Sequence, residues 1–102
     1  MYIIKNYIMS YFFGIVQNSA SEICKVLGKN VGSDDFKTQR QWWAETPEHI
    51  QFCVYDYHAG QRIKFNEKYD YHIGTLTEND TDKVIQYLKG FNLNAKYDNS
   101  KF

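Results

Sequence analysis

The densest chemistry in this 102-residue chain lies in two nearly identical hexapeptides. Tyr55-Asp56-Tyr57-His58-Ala59-Gly60 recurs fourteen residues later as Tyr69-Asp70-Tyr71-His72-Ile73-Gly74, with five of six positions identical. If both copies lie at a strand and turn of one sheet, they bring two imidazoles, two carboxylates and four phenol rings to one end of it. Such an array could form a stacking and hydrogen-bonding wall for a ring-bearing ligand, or hold a metal through imidazole and carboxylate. It also has a purely structural reading, with Asp capping, Tyr packing and Gly turning. The metal reading is the weakest, because Cys24 and Cys53 have no local pairing of the kind zinc sites use, and no metal or cofactor is expected.

Trp42-Trp43 is the second feature. Adjacent strand residues point to opposite faces, so one indole can enter the core while the other faces out beside Arg40 as a stacking platform or interface anchor. The competing reading packs both inward. The candidate binding residues are therefore Arg40, Trp42, Trp43, Tyr55, Asp56, Tyr57, His58, Arg62, Asp70, Tyr71 and His72. Arg40 and Arg62, the only arginines, are the groups suited to a bidentate contact with an anion.

Catalytic signatures are missing. There is no G-x-S-x-G, and the glycines at 28 and 32 are not followed by the Lys-Ser/Thr of a phosphate loop. Cys24 falls within a helical stripe and Cys53 within a strand, and both read as buried thiols. Asp56 and Asp70 could supply paired carboxylates. The alternative function is accordingly a small hydrolase acting on a phosphoester or glycosidic bond through His and Asp residues.

The elements that must position these groups are legible from periodicity. Tyr11–Gln17 reads as a strand. Ser19 and Glu22 form a capping box, and Ala20, Ile23, Cys24 and Leu27 fall on one helical face, which predicts a helix over Ser19–Gly28. A polar loop over Lys29–Phe36 leads to a strand at Lys37–Ala44, and the single proline, Pro47, marks a turn. His49–Tyr57 is the strongest strand and is expected at the centre of the sheet, with Ile50, Phe52 and Val54 on one face and Gln51, Cys53, Tyr55 and Tyr57 on the other. A hairpin turn at His58–Gln61 would return it as Arg62–Phe65. Tyr69–Thr75 is a further strand. The stripe Thr81, Val84, Ile85 and Leu88 predicts a helix over Asn79–Lys89 ended by Gly90, and Leu93, Ala95 and Tyr97 alternate as a final strand would. The order predicts an α+β fold: a two-layer sandwich of a mainly antiparallel sheet with two helices on one face.

Composition sets the outer limits. The chain is long enough for one domain, 1–102, with a single core. Residues 1–8 are expected to be a leader or an extra strand, with Met9 an alternative start, and 98–102 a frayed tail. The apolar opening, MYIIKNYIMSYFFGIV, is broken by Lys5 and Asn6 and is too short for a membrane span, so a cytoplasmic protein with no membrane partner is expected. Twelve Lys+Arg balance twelve Asp+Glu, which argues against a protein built to grip nucleic acid, since that requires a basic surplus. Aromatics reach 18%. An amphipathic sheet face rich in them predicts a homodimer or larger homo-oligomer, with Trp42 or Trp43 at the contact.

Abundant Lys, Ile, Asn and Tyr beside only two arginines is the pattern that AT-rich codons produce. The run Phe52-Cys53-Val54-Tyr55-Asp56-Tyr57-His58, followed by Tyr71-His72-Ile73-Gly74, resembles small uncharacterised phage and viral proteins. In these a strand ending in an I-Y-D/N-Y/W-K type motif precedes a W-H-I-G-G type motif and a helix. The likeness covers roughly residues 38–90, with His58, Tyr71 and Thr75 departing from it. It implies a phage-type accessory protein that acts on host functions, including defence, from the host cytoplasm. Together the residues and the resemblance favour a non-enzymatic binding or inhibitory protein capturing a nucleotide-like small ligand or a host protein.

Overall fold

The computed structural model describes residues 11–29, 40–56 and 61–97. Five strands and two helices follow in the order β1 (Tyr11–Ser19), α1 (Ala20–Leu27), β2 (Gln41–Glu45), β3 (Gln51–Tyr55), β4 (Lys68–Thr75), α2 (Glu78–Lys89) and β5 (Ala95–Tyr97). The strands form one sheet in the order β2-β3-β4-β1-β5, and every neighbouring pair is antiparallel. The fold is therefore α+β.

The helices form where their caps and stripes predict. Ser19 Oγ accepts from the Glu22 N–H at 3.2 Å while Glu22 Oε1 accepts from the Ser19 N–H at 3.0 Å, a reciprocal capping box. These bonds, with one from Asn18 Nδ2, hold the Glu22 carboxyl below its ordinary range. Gly28 ends α1 at φ 91°, where its N–H donates to the Cys24 carbonyl. Thr77 caps α2 through the Asp80 N–H. Gly90 follows α2 but remains right-handed; the left-handed residue that turns the chain is Asn92, at φ 66°, and Leu93 N–H then closes on the Leu88 carbonyl.

The core lies between the helices and one sheet face. Ala20 and Ile23 of α1 and Thr81, Val84, Ile85 and Leu88 of α2 are buried with Val16, Trp42, Phe52, Val54, Tyr71, Ile73 and Ala95 from the strands. Trp42 is 1% exposed, donates from Nε1 to the Gly28 carbonyl at 3.1 Å, and meets Tyr71 edge to face with centroids 5.3 Å apart. Beneath Gly14, Thr75 and Thr81 share a buried hydroxyl pair at 2.6 Å that ties β4 to the start of α2.

Three expectations are corrected. The central strand is β4, not the 49–57 segment, whose strand is Gln51–Tyr55 and lies second from the β2 edge. The hairpin partner of β3 is β2, through a turn at Thr46–Ile50, and Arg62–Phe65 is not a strand. Lys64 N–H instead donates to Glu67 Oε1 and Glu67 N–H to the Lys64 carbonyl, and these local bonds turn the chain before a ladder can start. The strand expected over Lys37–Ala44 is Gln41–Glu45; residues 30–39, and with them most of the predicted 29–36 loop, lie outside the described residues. So do the predicted leader, the frayed tail and residues 57–60, which hold most of the predicted His58–Gln61 turn.

Candidate functional site

The two hexapeptides meet, but in antiparallel register. Tyr55 pairs with His72, Val54 with Ile73 and Cys53 with Gly74, so the tyrosine of the first copy faces the histidine of the second. Strand parity then divides the predicted residues between the two sides of the sheet.

On the helix side lie Trp42, Tyr71, Asp56 and Arg40. Asp56 is 1% exposed and its Oδ1 accepts from the Arg40 N–H at 2.8 Å. The Arg40 guanidinium donates to the Ile63 carbonyl at 2.8 Å and lies over the Phe65 ring, 5.6 Å from its centroid. Tyr71 is fully buried. Burial pushes that phenol upward; nearby Arg40 opposes the shift and the Asp56 carboxylate adds to it. Tyr69, edge to face with Tyr71 at 5.1 Å, is raised for the same first cause, with Asp56 and Asp70 adding. This cluster fastens the segment after residue 60 to the start of β2, which is structural work. The expectation that Arg40 stands beside the outward Trp is corrected: positions 40 and 42 share a parity, so Arg40 accompanies the buried Trp42.

On the other side of the sheet, helix-free among the described residues, the register lines up one transverse row over the five described strands. It runs Lys96, Ile15, His72, Tyr55, Gln41. Trp43 stands beside this row, opposite Cys53, and Asp70 is exposed next to it, opposite Gln17. Trp43, Tyr55 and His72 are all half-buried. Tyr55 and His72 meet edge to face, with centroids 5.3 Å apart at 73°. Trp43 Nε1 is buried, with no hydrogen-bond partner among the described residues. Cys53 is 3% exposed and burial pushes its thiol up to about 12, against a smaller opposing bond from the Gly74 backbone. At neutral pH it is a neutral thiol and a poor nucleophile. Cys24, expected to be buried, is only half-buried on α1.

The predicted site is thus partly assembled. Trp43, Tyr55, Asp70 and His72 share the helix-free face, whereas Arg40, Trp42, Asp56 and Tyr71 do not. Arg62 is exposed on the irregular segment after residue 60. Tyr57 and His58 lie outside the described residues. Sequence reasoning missed Ile15, Gln41 and Lys96, because only the strand order puts them in the row; the period-two alternation of β1 and β5 was the available signal. Among the described residues, no group of three or more His, Cys, Asp or Glu side chains is arranged to hold a metal, and no helix is long and apolar enough to cross a membrane. Comparison with protein-family profiles, curated proteins and solved structures returns no match to this chain.

Proposed function

We propose that the chain is a non-catalytic binding protein that holds a protein partner on the helix-free face of its sheet. The observation that supports this reading is the transverse row through Ile15, His72 and Tyr55 with Trp43 beside it. Half-buried Trp43, Tyr55 and His72 offer aromatic surface beside buried Ile15, with exposed Lys96 and Asp70 at the borders, and aromatic side chains are where interface hot spots concentrate. A surface spread over five strands suits a macromolecule, which typically covers about 800 Å² per partner, better than a small ligand, which is enclosed in a cleft. The hydrolase alternative is less well supported. Asp56 turns to Arg40 on the helix side, Asp70 lies on the other side, and the Cys53 thiol stays protonated.

On the motif resemblance, the partner we propose is a host protein, and sequestering it would be a counter-defence role in the host cytoplasm. The test compares wild type with a Trp43→Ser/Tyr55→Ser variant whose fold is checked by circular dichroism. Each is incubated with host lysate, and retained species are read by native mass spectrometry. A discrete protein held at fixed stoichiometry by wild type, and at least about 30-fold more weakly by the variant, is expected if these rings are hot spots. Equal retention by both would remove the face from consideration. Saturable binding of a mononucleotide or dinucleotide would replace the protein by a small ligand, and appearance of cleaved products would restore the hydrolase.

A further inference from the structure

Gly74 pairs with Cys53 across β3 and with Phe12 across β1, in the interior of the sheet. A strand interior disfavours glycine, which gives up side-chain packing and pays extra backbone entropy. The space on its helix-free side is already filled. A Cβ placed there would lie 2.9 Å from Cys53 Sγ, 3.2 Å from Tyr55 Cε1 and 3.9 Å from the Tyr55 hydroxyl. The Tyr55 ring therefore lies diagonally across β4 over the bare Gly74 backbone, and from that seat it meets His72 edge to face.

We infer that Gly74 is a positioning residue of the binding face: by carrying no side chain it seats the Tyr55 ring across β4 and fixes the angle at which Tyr55 and His72 meet a partner. The inference rests on the reading of this face as the binding surface. It explains why a residue poor for strands occupies the central one. It also gives the second hexapeptide two separate duties, with His72 supplying a ring and Gly74 supplying the floor for the ring of the first copy.

A graded series tests it without a partner. Ring currents from Tyr55 displace the His72 ring-proton resonances, and Tyr55→Leu defines the full loss of that displacement. Gly74→Ala meets Cys53 Sγ and crowds Tyr55 Cε1 by a few tenths of an ångström, and should reproduce a small part of the loss, whereas Gly74→Val should expel the ring and give at least half of it. In a Tyr55→Leu background, Gly74→Val should add nothing. If Gly74→Val does not fold, Gly74→Val/Cys53→Ala removes the sulfur that the new side chain meets first and gives the same reading. His72 resonances that stay in place in the Gly74 variants, or that move equally with Tyr55 absent, overturn the inference. With a partner in hand, folded Gly74→Val should lose capture by tenfold or more, and undiminished capture overturns it too. Failure of the underlying reading is separately visible, because Trp43→Ser tests the face without touching Gly74.

Discussion

His49 closes the β2–β3 turn with a left-handed backbone, φ 69°, which a β-carbon makes unfavourable by about 1 kcal/mol. Its N–H donates to the Thr46 carbonyl and its Nδ1 pairs with Glu45 Oε2 at 2.9 Å, a contact that is largely exposed. Such surface pairs contribute little. His49→Gly should therefore raise stability by at most about 0.5 kcal/mol, after the extra flexibility of glycine in the unfolded chain is subtracted. Urea titration at constant slope checks it, and a lowered midpoint would show that the ion pair outweighs the backbone term. Cys53 makes the opposite kind of case, a side chain whose surroundings fix its chemistry. With its thiol pushed up to about 12 by burial, alkylation of the native protein at pH 8 should reach Cys24 well before Cys53, as read by peptide mass spectrometry. Equal labelling of the two in folded protein would contradict the burial. Position 53 was legible as a strand thiol, but its isolation depends on Gly74 from another strand, which no local pattern reveals.

At the scale of elements, the helices were the most legible part, because their signals are local. The capping box and the i, i+3, i+4, i+7 stripes sit within one to three turns of sequence. Ser19→Ala should cost about 1 kcal/mol, and it should abolish most of the depression of the Glu22 carboxyl, whose largest cause is the Ser19 backbone bond, only if the cap itself opens. Carbon-detected NMR titration of Glu22 reads that directly; a cap that stays closed would leave the titration nearly where it was while stability still falls. Strands were legible as segments but not as partners. The 49–57 run was rightly seen as apolar on one face, yet its pairing went to β2 through the Thr46–Ile50 turn, where Thr46 Oγ1 accepts from the Ile50 N–H. Proline at 47 marked that turn, but the sequence offered a second candidate after residue 57, and nothing local ranks two turns against each other.

Over the whole molecule, alkaline pH should be destabilising. The Cys53 thiol and the Tyr69 and Tyr71 phenols are all raised above their ordinary values, with burial the first cause for each. A group that holds its proton in the folded state and releases it in the unfolded state makes unfolding more favourable as pH rises past its unfolded value. Stability should be flat near neutrality and fall from about pH 9 towards 12, because the unfolded thiol and phenols ionise near 9–10. Thermal melts across that range check it, and Cys53→Ala should flatten the first part of the decline. Assembly belongs to the same scale. The helix-free face, with Trp43, Tyr55 and His72 half-buried on it, is the surface through which we propose that the chain self-associates when no other partner is bound. Sedimentation at high concentration should show a dimer that Trp43→Ser returns to monomer; a single monomeric species for wild type would sink that proposal.

Sequence by itself determined the α+β class and both helices with their stripes, because each follows from periodicity and neighbouring residues, and it left open whether Trp42 and Trp43 both pack inward. It also marked the two hexapeptides as belonging together. Only the tertiary structure decided how they meet. Antiparallel register sets Tyr55 against His72 rather than against its own counterpart, Tyr69, and parity then sends Asp56 and Tyr71 towards the core while Trp43, Tyr55 and His72 face the other way. Likewise the row from Lys96 to Gln41 exists only because β1 inserts between β4 and β5. Strand order is set by which apolar faces can be covered together by two helices, a condition on the whole chain that no single segment carries.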